Sequence, residues 1–266
     1  MRIETRAITF DSGSEKIIGF LALPLSAGRH AAVIAIHEWW GLSDWVKKQA
    51  ANLATNGYIV LAVDLYRGKL AMEAYVARRL KRGLQHGRAM GDLKAAFNYL
   101  AARCDVDFRH IGAIGWSMGG CFALQLAIYE PLLAACVVNY GKLPTDPADI
   151  QKINGAVLGH FGAVDRGIPP KRIRTFEKMM RDLKKPVHLK IYVGAGHGFE
   201  NFDDPRRYRP LAAADAWSRT LAFLAKVMSE RISSGTTDET KAQIGLTGSL
   251  ALPRRHPVRQ RRRTYR

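Results

Sequence analysis

The chain has 266 residues, 47% of them hydrophobic and 24% charged, a balance that excludes a disordered or collagenous chain and allows a sizeable core. No run approaches the roughly 18 consecutive apolar residues that a membrane span requires. The formal charge of +18 is unevenly spread: from Arg231 onward nine basic residues face two acidic ones, which leaves +11 for residues 1–230 and describes a modestly basic globule with a strongly basic tail.

Apolar runs of strand length alternate with longer amphipathic stretches, the pattern of a mostly parallel sheet flanked by helices. Residues 2–10 and 16–23 read as two strands joined by the polar turn Asp11-Ser12-Gly13-Ser14-Glu15, an antiparallel start. Residues 31–37 (AAVIAIH) form an apolar strand of the kind buried on both faces, and 58–65 (YIVLAVDL) another. Between them, 44–56 reads as a helix ended by Gly57. Residues 71–103 are helical with a break near 83–87, and a strand at 110–116 feeds directly into a helix at 117–129. Strands at 133–140, 156–160 and 187–193 make about eight in all. Helices are expected at 169–183, with proline near its start, and at 208–228. In that last helix Leu211, Ala214, Trp217, Leu221, Leu224 and Val227 recur every three or four positions as a core-facing stripe.

Beyond residue 230 the texture changes to Ser, Thr and Gly and then to Arg, Pro and His. Such a segment buries too little apolar area to offset its ordering entropy, so 231–266 is expected to be a disordered tail behind a domain at 1–230. Cys104, Cys121 and Cys136 are too scattered for a disulfide framework or a zinc site, and each reads as a small buried hydrophobe. Met1-Arg2-Ile3-Glu4-Thr5-Arg6 carries charge where a signal peptide needs an apolar segment, which points to the cytoplasm.

Gly115-Trp116-Ser117-Met118-Gly119-Gly120 matches G-x-S-x-G between a buried strand and an apolar helix. In that context the serine occupies a strained strand-to-helix turn and projects above the sheet edge, with the helix amides aimed at the reacting oxygen. A serine hydroxyl needs a base, and the base needs an orienting carboxylate. His197, in Gly194-Ala195-Gly196-His197-Gly198-Phe199 after a strand, suits the base; His160 and His188 fall inside strands. Asp165 follows another strand and suits the acid, with Asp146 and Asp149 as competitors in a proline-rich loop. The oxyanion hole would use the amide of Met118 and one from the loop His37-Glu38-Trp39-Trp40-Gly41, where Glu38 or Trp39 could serve and Trp39 is favoured. Trp40, beside it, would wall the pocket.

The series His37-Glu38-Trp39-Trp40-Gly41, Asp64-Leu65-Tyr66, Gly115-Trp116-Ser117-Met118-Gly119-Gly120, Gly162-Ala163-Val164-Asp165 and Gly196-His197-Gly198-Phe199 resembles the dienelactone hydrolase family of α/β-hydrolases over residues 3–228. The resemblance implies an α/β-hydrolase fold and cleavage of an enol-lactone or small ester through an acyl-enzyme, with no metal or organic cofactor. It implies Ser117 as nucleophile, Asp165 and His197 as its partners, amides near Trp39 and Met118 as oxyanion donors, and Glu38 as an acid beside the nucleophile. The best-known members carry Cys where this chain has Ser117. Their substrate-binding arginines stand where this chain has Gly68, one residue past Arg67, and Asn201. Arg67 and Asn201 are thus the auxiliary candidates, and the chain would act as a monomer or homodimer on a small ester or lactone.

Two rival functions rank lower. A peptidase or broader esterase on the same fold would use the same three residues, but no screening propeller or lid is seen in the sequence. A nucleic-acid-binding protein would use Arg254–Arg266, yet the tail lacks interleaved aromatics, so no specific nucleic-acid partner and no membrane partner is expected. The cations Arg67, Lys69, Arg78, Arg79, Lys81 and Arg82 form a further set that could steer anionic substrates.

Overall fold

The protein is described from a computed structural model over residues 1–230; the expected tail at 231–266 lies outside the described residues. The strands are β1 (Ile3–Ser12), β2 (Glu15–Pro24), β3 (His30–Ile36), β4 (Ile59–Val63), β5 (Val106–Trp116), β6 (Ala135–Asn139), β7 (Ala156–Gly162) and β8 (Val187–Tyr192). The helices are α1 (Asp44–Thr55), α2 (Ala74–Gly83), α3 (His86–Ala101), α4 (Met118–Tyr129), α5 (Pro147–Gln151), α6 (Pro170–Asp182) and α7 (Pro210–Glu230).

All eight strands form one sheet in the order β1-β2-β4-β3-β5-β6-β7-β8. β2 pairs antiparallel with both β1 and β4, and the remaining pairings are parallel, so the expected antiparallel start and parallel body are both present. The parallel strands are apolar runs because helices cover both faces. In β3, Ala32, Ile34 and Ile36 enter one core with α3, α4 and α6, while Val33 and Ala35 enter the other with α1 and α7. β1, at the edge, is exposed along most of its length and carries the polar residues that an edge tolerates.

Strand order reverses across β3, which has β4 on one side and β5 on the other. Open α/β sheets bind ligands beyond the strand C-termini at such a switch point. There the loops after β3, β5, β7 and β8 bring in Glu38–Trp40, Ser117, Asp165 and His197.

Three expectations need correction. The core-facing stripe of α7 holds over most of its length, where Leu224 is buried and Trp217, Leu221 and Val227 pack partly buried against the same core beside Ala216, Thr220, Phe223 and Met228. It fails at the start, where Leu211 is 89% exposed and Ala214 is also outside. Alanines on every side of this helix blur its periodicity, and the bond from Thr220 to the buried His160 (3.2 Å) draws a polar position inward. Cys104 is exposed in the turn between α3 and β5 rather than buried as a small hydrophobe. The short helix α5 was not expected, because five residues hold no readable period; Pro147 at its start and the Asp146 carboxylate, which accepts from the Ala148 amide at 2.9 Å, create it.

Candidate active site

β5 ends at Trp116 and α4 begins at Met118, leaving a single residue to reverse the chain. That residue, Ser117, adopts φ 54° and ψ −110°, a conformation a non-glycine residue occupies only when its surroundings enforce it. The enforcement is close packing: a Cβ on Gly115 would overlap the Gly119 carbonyl, and one on Gly119 would overlap the Ile36 carbonyl at the end of β3. The Ser117 amide donates to the Asn139 carbonyl (2.9 Å), which pins the turn to β6. The first amides of α4, beginning with Met118, lack intrahelical acceptors and add the positive end of the helix dipole.

Ser117 Oγ lies 2.7 Å from His197 Nε2, and His197 Nδ1 lies 2.7 Å from Asp165 Oδ2. A carboxylate only accepts, so Nδ1 holds the proton and Nε2 is left to accept from the serine hydroxyl. The other oxygen of Asp165 accepts from the amides of Gly167 (2.8 Å) and Ile168 (3.3 Å). Burial alone would raise the Asp165 pKa, but His197 and these two amides outweigh it and hold the carboxyl below its ordinary value. The competitors are occupied elsewhere: Asp146 caps α5, and Asp149 pairs with Lys152 at 2.9 Å.

Glu38 is buried and accepts from Asn201 Nδ2 at 3.0 Å, joining the loop after β3 to the loop after β8. Burial pushes its pKa up, opposed by the Asn201 bond and by the nearby His197 and Arg207. Asn201 lines the cavity, but its amide is committed to Glu38. Arg67 is a correction. Its guanidinium grips Asp92 (2.6 and 3.0 Å) and Glu15 (2.9 Å), and it lines neither cavity beside Ser117. With two carboxylates beside it, this planar fork is committed to structure, and no substrate group is needed to explain it.

Three further residues complete the site. Tyr140, fully buried at φ 41°, packs edge-on against the His197 ring with centroids 5.2 Å apart. Its hydroxyl sits beside Glu38 without meeting hydrogen-bond geometry. Glu200 accepts from the Trp116 indole N–H at 3.1 Å, and the Asn139 amide, with its nitrogen turned toward it, donates to the second oxygen at 3.2 Å. His37 is buried at the head of the loop that carries Glu38 and Trp39. Sequence reasoning left Tyr140 and Glu200 out, since their partners come from other strands. Only the position of Glu200, three residues past His197, hinted at it.

Ser117 and His197 open onto two cavities. The larger, about 620 Å³, is lined by Glu38, Trp39 and Trp40 and by the cations Lys81, Arg166, Arg206, Arg207 and Arg209. The smaller, about 340 Å³, presents Leu84, Met118, Phe122, Tyr140 and Ile168. No cluster of three or more metal-ligating side chains occurs among the described residues. None of the described helices is long and apolar enough to cross a membrane.

The profile of the dienelactone hydrolase family matches residues 17–228. A protein from Bradyrhizobium sp. named "Probable 2-oxo-3-(5-oxofuran-2-ylidene)propanoate lactonase" is 31% identical over 231 residues, covering 82% of this chain and 92% of its own. A "Putative carboxymethylenebutenolidase" from Saccharolobus solfataricus is 33% identical over 268 aligned positions, covering 84% of this chain and 98% of its own. Among solved structures, a "Putative Dienelactone Hydrolase" from Klebsiella pneumoniae superposes with a TM-score of 0.78 at 25% identity, covering 85% of this chain and 99% of the other. With the profile spanning most of the described residues and two relatives above 30% identity over more than four-fifths of the chain, this protein belongs to the dienelactone hydrolase family and has its α/β-hydrolase fold.

Proposed function

We propose that the protein is a carboxylic-ester hydrolase whose nucleophile is Ser117, acting on small esters or lactones. The observation that carries this reading is the unbroken chain from Ser117 Oγ through His197 to Asp165, 2.7 Å at each step, built on a backbone turn held at φ 54°.

His197 Nε2 takes the hydroxyl proton as Ser117 Oγ attacks the ester carbonyl carbon. The carbonyl oxygen becomes an oxyanion, met by the amides of Met118 and Trp39. The resulting imidazolium is stabilised by the ionised Asp165. It then protonates the departing alkoxide, leaving an acyl group on Ser117. A water, deprotonated by the same imidazole, attacks that acyl carbon, and the imidazolium returns the proton to Ser117 Oγ as the C–O bond breaks and the carboxylic acid leaves. Apart from that water, every step uses groups the chain itself supplies.

The two cavities suit the two halves of such a substrate, one rimmed by five cations and the other richer in apolar side chains, although Lys81 and Lys142 also line it. Glu38 bonds to Asn201, which supports a role in tying two site loops together rather than in acid–base chemistry. The test is the release of p-nitrophenol from p-nitrophenyl butyrate. Ser117→Ala should cut kcat by at least about 10³-fold while the protein stays folded. Equal rates for the two proteins would remove the serine mechanism.

A further inference from the structure

His37 follows β3, is fully buried, and lines neither cavity at Ser117. Its hydrogen bonds fix its tautomer. The Leu65 main-chain amide points at Nε2 from 3.2 Å, and an amide can only donate, so Nε2 carries no proton. The proton is therefore on Nδ1, which lies 2.5 Å from the Glu38 carbonyl oxygen and donates to it. Burial holds the imidazole pKa below its ordinary value, in keeping with a neutral ring. Tyr66 packs against the ring, with centroids 4.9 Å apart, and limits its rotation.

The Glu38 carbonyl and the Trp39 amide belong to one planar peptide unit. No peptide bond among the described residues is cis, so the two groups point in opposite directions across that plane. The carbonyl is held on the buried side by His37. The amide is thereby turned to the other side, where Trp39 and Ser117 line the same cavity. Among the described residues, the other donor to this carbonyl is the Gly41 amide at 3.3 Å, a longer bond.

We propose that His37 is a positioning residue for the oxyanion hole: its Nδ1–H fixes the tilt of the Glu38–Trp39 peptide and so aims the Trp39 amide at the reacting oxygen. Donors of this kind act only when held within about 0.5 Å and 10–20° of the required geometry. The assignment rests on Ser117 being the nucleophile and Trp39 an oxyanion donor.

The experiment compares His37→Leu, His37→Asn and His37→Gln with wild type and Ser117→Ala on p-nitrophenyl butyrate, with folding checked by near-ultraviolet circular dichroism. The Asn side-chain nitrogen takes the place of Nδ1 and can still donate to the Glu38 carbonyl; the Gln nitrogen lies at the Nε2 position and cannot. His37→Leu should lose about 10²-fold in kcat with KM within about twofold, the size expected for a misaimed oxyanion donor. His37→Asn should exceed His37→Gln in kcat by about tenfold, again by the size of one oxyanion contact. A folded His37→Leu within about threefold of wild type overturns the assignment, because a lost donor costs far more than that. So do equal losses in the Asn and Gln variants, and that comparison decides the matter if His37→Leu does not fold. Wild-type rates in Ser117→Ala would overturn the nucleophile reading and His37 with it. An inactive Ser117→Ala beside an unaffected His37→Leu would overturn the His37 role alone.

Discussion

Glu200 shows how one buried side chain sets a pH dependence. Burial pushes its pKa up to about 8, the Trp116 indole opposes the rise, and the neighbouring Glu38 carboxyl adds to it. A free glutamate titrates near 4.3, so between these values the folded protein holds a proton that the unfolded chain has released. Unfolding free energy then falls as pH rises through that window, by at most about 1.4 kcal/mol per pH unit. Asp165 has the opposite sign: its lowered pKa contributes stability above the ordinary carboxylate range, which is lost as pH falls through the folded value. The two effects occupy separate windows. Urea melts from pH 5 to pH 8 should therefore show wild type losing stability relative to Glu200→Gln, and parallel slopes for the two would refute a titrating Glu200. The residues differ in legibility for the same reason. Ser117, Asp165 and His197 each follow a strand in a glycine-containing turn, and local sequence marks such places. Glu200 takes its character from burial in a niche it shares with Trp116, 84 residues away, and no local pattern reports that placement.

At the scale of elements, the site depends on how closely α4 crosses the end of β3. Gly119 has no room for a Cβ because the Ile36 carbonyl occupies that place, and His37 and Glu38 begin immediately after it. Adding a methyl there would force the helix off the strand that carries the oxyanion loop. Gly119→Ala should destabilise by about 3 kcal/mol or more, toward the upper end for overpacking, and should depress esterase activity in whatever fraction folds. Gly91, inside α3, is the internal control: a Cβ there would meet nothing nearer than Ser12 Oγ at 4.0 Å, so Gly91→Ala should gain about 0.5–1 kcal/mol of helix propensity. Thermal or urea melts of the two variants check both signs, and equal stabilities would mean that the crossing is not tightly packed. The glycine pattern of the elbow, the eight strands and the break between α2 and α3 were readable because each depends on residues adjacent in sequence. The buried face of α7 was readable only in part: Trp217, Leu221, Leu224 and Val227 pack on the core, but the alanine-rich start leaves Leu211 and Ala214 outside, and the inward turn of Thr220 depends on a tertiary partner, His160.

The whole molecule carries a formal charge of +18, and the geometry decides which cations face the substrate. Of the set Arg67, Lys69, Arg78, Arg79, Lys81 and Arg82 that the sequence suggested, only Lys81 lines the cavities at Ser117; Arg67 is held by Asp92 and Glu15. The others that line the larger cavity come from loops after β7 and β8: Arg166, Arg206, Arg207 and Arg209. Neighbours in sequence were a poor guide here because a helix turns most of its charges to solvent, while loops distant along the chain converge at the sheet edge. Arg206 and Arg207 share Asp204, whereas Lys81 and Arg166 have no carboxylate partner among the described residues. These two exposed charges act across open water, so their field is attenuated over about 10 Å at 0.1 M ionic strength and reaches farther in dilute buffer. An ester bearing a carboxylate remote from the scissile bond should therefore gain in kcat/KM over a neutral ester of equal length at low salt. The ratio should fall toward unity as salt rises. Replacing Lys81 and Arg166 together by alanine should flatten that salt dependence while leaving neutral-ester turnover unchanged, because the hydrogen bonds of Ser117, His197 and Asp165 are made without either side chain. A ratio indifferent to salt in the wild-type protein would show that the rim cations do not act on the substrate.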